Sequence, residues 1–207
     1  MSPVDNTAQP VRLLLCTDLD RTLLPNGPQP ESAQAREIFS RLVAHSQVTL
    51  VYVTGRHRQL IEQAIEEYQL PGPDYVIADV GSSVYQLTAQ DWDYQQNWEQ
   101  LIAADWQGKS AYQLQSLFAD IGSIRLQEQS KQNAHKLSYY VALKADHLSI
   151  ISMLQERLKL QSIAANLIWS IDEQQNIGLL DVLPASAGKR QAIEFLMQQL
   201  GFGVMET

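Results

Sequence analysis

Apolar positions along this chain keep two alternating rhythms. Val11 to Cys16 is an almost unbroken apolar run, the pattern of a parallel strand buried on both faces, and polar residues crowd its C-terminal end from Thr17 to Thr22. Pro25, Gly27, Pro28 and Pro30 mark a loop, after which Ala35, Ile38, Phe39, Leu42 and Val43 recur at helical spacing and predict a helix packed on the sheet. Val48 to Val53 is a second, β-branched strand; Leu60, Ile61, Ala64, Ile65 and Tyr68 line a second amphipathic helix. Tyr75 to Ala78 reads as a third strand, and Gly81-Ser82-Ser83 turns the chain into Val84–Leu87. Such alternation implies a right-handed, mostly parallel sheet covered by helices.

From about Thr88 the text becomes aromatic and Gln-rich, and the strict alternation stops. Helices are expected near Trp98–Trp106 and Tyr112–Ala119, strands at Arg125–Gln129 and His135–Leu143, a helix over Ala145–Leu160, and strands at Asn166–Ile171 and Ile177–Leu183. Asp172 to Gly178 has the composition of a hairpin loop. These elements predict an inserted α+β module, and the helix Ala187–Leu200 predicts a return to the α/β core. The expected division is 10–87 for the first part of the core, 88–182 for the insert and 183–207 for a resumed, truncated core.

Charge and composition narrow the function classes. A net charge of −8 without a Lys/Arg cluster excludes the electrostatic footprint of a nucleic-acid binder. No apolar run approaches the ~18 residues of a membrane span, and the polar first ten residues carry no secretory signal. With a single cysteine, Cys16, read as a core residue, the expectation is a cytoplasmic protein.

The chemistry concentrates at Asp18-x-Asp20-x-Thr22. Alternate residues of an extended chain point to one side, so two carboxylates reach one pocket at the carboxyl edge of the sheet, where open α/β folds bind ligands. Such a pair can divide nucleophilic and acid–base work, and its mutual repulsion calls for a metal or a shared proton. Taken alone, these aspartates also fit a turn and a helix cap, Thr54 an ordinary cap, and Lys189 a solvated first-turn lysine. A nucleotide-binding loop fails at Gly188-Lys189, because Leu183 stands where the first glycine is needed and Arg190 replaces the hydroxyl residue. His45, His57, His135 and His147 show no metal-ligand spacing.

Thr17 to Leu24 (TDLDRTLL) resembles the first motif of the haloacid dehalogenase superfamily, and two further stations agree in order: Val51 to Arg56, and Leu183 to Lys189. Three more stretches, Pro73 to Tyr85, Gln132 to Tyr139 and Leu179 to Pro184, make the chain similar to sucrose-phosphate phosphatases from about Val11 onward. The resemblance implies a Rossmann-like core with a parallel sheet and an inserted α+β cap. It implies Asp18 as nucleophile and Asp20 as acid and base, both also serving Mg2+, with Thr54, Gly55 and Lys189 at the phosphate. Arg56, Gly81, Ser82, Asn133 and Lys136 would meet the sugar. The partner it implies is a small sugar phosphate, handled by a monomer that associates with a sucrose-phosphate synthase. The family's fourth, acidic motif, which completes the magnesium site, is expected soon after Lys189, but the sequence reaches Thr207 without it. Two alternatives stay open: another glycosyl-phosphate phosphatase, acting on mannosylfructose, glucosylglycerol or trehalose phosphate, and a non-catalytic sugar-phosphate binding protein.

Overall fold

A computed structural model describes residues 12–25, 32–89 and 91–207. Val11 and the expected loop residues Gly27, Pro28 and Pro30 lie outside the described residues. In chain order the elements are β1 (Leu13–Thr17), α1 (Ala35–Val43), β2 (Val48–Val53), α2 (Arg58–Glu67), β3 (Tyr75–Ala78), β4 (Ser83–Leu87), β5 (Trp92–Tyr94) and α3 (Gln96–Ala103). They continue with α4 (Ala111–Gln115), β6 (Ile124–Leu126), β7 (Leu137–Val141), α5 (His147–Leu160), β8 (Ala165–Asp172), β9 (Ile177–Pro184) and α6 (Lys189–Leu200).

Two sheets result. The first has the order β1-β2-β3-β4-β5, with β1, β2 and β3 parallel and β4 and β5 antiparallel. Its residues alternate between two cores, as the two-residue period of a strand requires. Val51, Val53 and Ile77 face Trp98 and Ile102 of α3 and Ala192 and Leu196 of α6. Leu50, Tyr52 and Val76 face Ile61 and Ala64 of α2 on the opposite side. The second sheet is antiparallel, in the order β6-β7-β9-β8. Leu137, Tyr139, Val141, Leu180 and Val182 pack beneath α4 and α5 with Trp106, Leu114, Ile150 and Leu154. The alternate positions Ser138 and Asp181 lie on its other face, buried and hydrogen-bonded to each other.

The mixed α/β architecture with parallel strands and helices on both faces agrees with the sequence reading. Three details differ. The first sheet continues past Leu87: Trp92–Tyr94 pairs with β4, and Trp98 and Ile102 fill the first sheet's core, so the aromatic text after Thr88 begins as part of that layer. Helix α1 buries none of its residues and leaves Ile38 and Leu42 exposed, packing through Phe39 and Val43. The stretch Tyr112–Ala119 is one short helix running into a 3-10 turn. No helix of the described residues is long and apolar enough to cross a membrane.

Candidate active site

The parallel register of β1 and β2 brings two of the expected residues to one edge. Thr17, the last residue of β1, pairs with Tyr52, so Asp18 emerges beside Val53 and Thr54. Asp18 is held on both oxygens: the Leu19 amide donates to Oδ1 at 2.7 Å, and Lys189 Nζ donates to Oδ2 at 2.8 Å. Its side chain is nevertheless 41% exposed, and that of Lys189 37%, so both face an approachable space. Lys189 opens α6, whose unpaired first-turn amides add positive potential for an anion. Two neighbours fix the loop before it with three hydrogen bonds. The Asp105 carboxylate accepts the Ser186 amide at 2.5 Å, and Asn166 Nδ2 donates to the carbonyls of Ala185 and Ala187 at 2.8 and 3.3 Å.

Arg56, expected at the sugar, instead grips Asp20 in this structure. Its Nε lies 3.0 Å and its Nη2 2.7 Å from the carboxylate oxygens, and the hydrogen bonds hold the guanidinium proton more tightly than usual. Thr54 is fully buried and its hydroxyl oxygen accepts the Arg56 amide at 3.2 Å, which shapes the Thr54-Gly55-Arg56 turn. Arg21, next to Asp20, reaches the tip of the β8–β9 hairpin and pairs with Glu173 at 2.6 Å.

A tight turn after β3 joins these parts. Asp79, Val80 and Gly81 have φ of 54°, 62° and 96°, left-handed values that are unusual for a β-branched residue. The surroundings impose this shape. The Asp79 amide donates to the Arg56 carbonyl at 3.0 Å and the Val80 amide to the Thr54 carbonyl at 3.2 Å, while Trp98 Nε1 donates to the Gly81 carbonyl at 3.1 Å. A Cβ on Gly81 would stand 2.2 Å from the Gly188 carbonyl carbon and 2.5 Å from the Lys189 nitrogen. Gly81 therefore lets the turn press against the start of α6.

The other expected sugar residues meet this turn. Asn133 Nδ2 donates to Ser82 Oγ at 2.9 Å and lies 3.3 Å from Ser83 Oγ. Lys136 Nζ lies 3.5 Å from Asp79 Oδ1. Gly81, Ser82 and Lys136 are all buried; the Asn133–Ser82 and Lys136–Asp79 contacts join the two sheets, and Gly81 packs on the start of α6. Beside them a cleft of about 530 Å³ is walled by Asp79, Ser83, Tyr85, Tyr94, Glu99 and Asn133, together with His57 and Arg58. Aromatic faces mixed with carboxylates and amides suit a hydroxylated ligand. Sequence reasoning missed Asp79, Ser83, Asp105 and Asn166. Burial pushes the Cys16 thiol up to about 11, away from the thiolate form.

Among the described residues no three His, Cys, Asp or Glu side chains converge as a metal site. Magnesium does not require three, because it commonly takes one or two protein carboxylates and completes its shell with water and phosphate. The exposed Asp18 carboxylate, with the main chain of Asp20 two residues on, fits that partial role.

The sequence matches the family model described as sucrose-6F-phosphate phosphohydrolase over residues 11–207. A protein of Nitrosococcus oceani, described no further than as HAD-like hydrolase, is 50% identical over 95% of this chain and 53% of its own length. Sucrose-phosphatase 1 of Nicotiana tabacum is 27% identical over 95% of this chain and 44% of its own. The chain thus spans about half the length of these curated relatives. Among solved structures, the sucrose-phosphatase of Synechocystis sp. PCC6803 in complex with sucrose and phosphate superposes with a TM-score of 0.77 at 25% identity, covering 95% of this chain and 73% of that one.

Proposed function

The chain belongs to the sucrose-6F-phosphate phosphohydrolase family, and from that premise we propose that it releases phosphate from a sugar phosphate, sucrose 6-phosphate first, through an aspartyl phosphate on Asp18. The observation that carries the reading is the Asp18–Lys189 pair at the strand edge, a reachable carboxylate with a cation and a helix start beside it.

In this reading the Asp18 carboxylate attacks phosphorus in line, the bond to the sugar oxygen breaks, and the Asp20 carboxyl gives that oxygen its proton. Asp20 then takes a proton from water, whose oxygen attacks the acyl phosphate and frees inorganic phosphate and Asp18. Arg56 keeps the Asp20 side chain aimed. Lys189, the α6 amides and the Thr54–Gly55 turn offset charge on the phosphoryl oxygens, the dominant contribution in such transfers. Asp18 and the Asp20 carbonyl would hold Mg2+, which supplies further charge neutralisation when bound. The cleft beside Asp79 supports a sugar as the leaving group.

Replacing Asp18 with Asn is expected to lower magnesium-dependent phosphate release from sucrose 6-phosphate by at least about a thousandfold. Activity retained in Asp18→Asn removes the nucleophile assignment. A panel of mannosylfructose, glucosylglycerol and trehalose phosphates ranks the sugars, and calorimetric binding without release favours a binding protein.

A further inference from the structure

Asp79 is a buried acid that the proposed chemistry does not use. It is 5% exposed and sits in a left-handed conformation that an aspartate adopts less readily than glycine. Its two oxygens are divided between two parts of the molecule. Oδ2 accepts the Ser83 hydroxyl at 3.0 Å within its own turn, and Oδ1 faces Lys136 Nζ, just before β7 of the second sheet, at 3.5 Å. Lys136 is 4% exposed, and its charge also acts on the buried Asp181 carboxyl of β9. A buried charge of this kind tolerates poorly the loss of its partner. The same turn donates its amides to the carbonyls of Thr54 and Arg56 and presses Gly81 on Gly188 and Lys189. One five-residue turn therefore touches both loops of the phosphate site and the inserted module.

Resting on the phosphatase reading, we propose that Asp79 is a positioning residue: its ion pair with Lys136 ties the inserted module to the turn that aligns Thr54 and Lys189. Seating of the module over a sugar and ordering of the phosphate site are then one event. The sugar is recognised in part by what it does to this link.

The test compares Asp79→Asn, which preserves shape, Lys136→Met, and the double variant in the 207-residue chain. The quantity read is the ratio of kcat/KM for sucrose 6-phosphate to that for p-nitrophenyl phosphate, which offers no sugar. Each single variant is expected to lower this ratio roughly 10- to 100-fold, and the double variant no further than the worse single. Multiplying losses mean that Lys136 acts on the sugar independently, and an unchanged ratio means that there is no link; either overturns the proposal. Hydrogen exchange in Lys136→Met gives a reading independent of turnover. The proposal expects faster exchange of the Asp79 and Val80 amides, and change confined to residues 129–138 refutes it. If the wild-type chain hydrolyses neither compound, the phosphatase reading fails while exchange still decides whether the link exists.

Discussion

Gly81 and Gly188 meet backbone to backbone where the turn abuts the start of α6. Gly81 has φ of 96° and no room for a methyl group against the Gly188 backbone, so Gly81→Ala combines backbone strain with a main-chain collision. We expect a loss of about 2–4 kcal/mol in urea unfolding. Gly108, at φ of 73° with nothing within 4 Å of its missing Cβ, is the matched control, and Gly108→Ala should cost only about 1 kcal/mol. Equal losses at the two positions would show that strain alone matters. At this scale the sequence made placement legible, with Asp18 and Thr54 at adjoining strand ends and Lys189 at a helix start beside Asp18. Asp79 gave no such signal. An acid after a short strand reads as a turn residue, and the lysine that gives it meaning lies 57 positions away. Asn166 and Asp105 were silent for the same reason, since each acts on the backbone of a loop remote in sequence.

Among the elements, α5 shows how local signals and packing combine. Asp146 caps it, accepting the Ser149 amide at 3.2 Å and the Ser149 hydroxyl at 2.7 Å, while Ile150, Leu154 and Leu158 enter the core of the second sheet. Asp146→Ala should lower stability by about 1 kcal/mol, seen as a lower thermal midpoint. An unchanged midpoint would mean that the packed face alone holds the helix. Strands β2 and β3 and the β8–β9 hairpin were readable because apolar runs and a polar turn bound them. Strand β5 was not, because three residues are too few to establish a period and its aromatic side chains fit helix or strand alike. Helix α1 was expected from its spacing to pack on the sheet and does so through Phe39 and Val43, yet Ile38 and Leu42 stay exposed, because periodicity reports which face is apolar and not how much of that face is covered.

Across the whole molecule, the junction between the sheets makes stability depend on pH. Burial pushes His135 below its ordinary value of about 6.5, opposed by the Glu99 carboxylate 3.6 Å away, and His57 moves the same way. A base depressed in the folded state contributes stability that is full above the unfolded value and is lost as pH falls through the folded one. Asp181 moves oppositely: burial raises it, so its contribution is present below its ordinary value of about 3.8 and declines as pH rises through the folded one. The difference between wild type and His135→Gln isolates the imidazole. Urea midpoints should fall more steeply for wild type as pH drops below about 6.5. Parallel pH curves for the two proteins would remove His135 as a contributor.

The indole of Trp98, bonded to the Gly81 carbonyl and buried against α6, gives the turn an optical voice. Trp92 shares the first sheet while Trp106 and Trp169 lie in the core of the second, so the intrinsic emission of this chain samples both layers, and Trp98→Phe would subtract the contribution of the indole at the turn. Ligand-induced rearrangement around Gly81 can then be followed by fluorescence without attaching a dye.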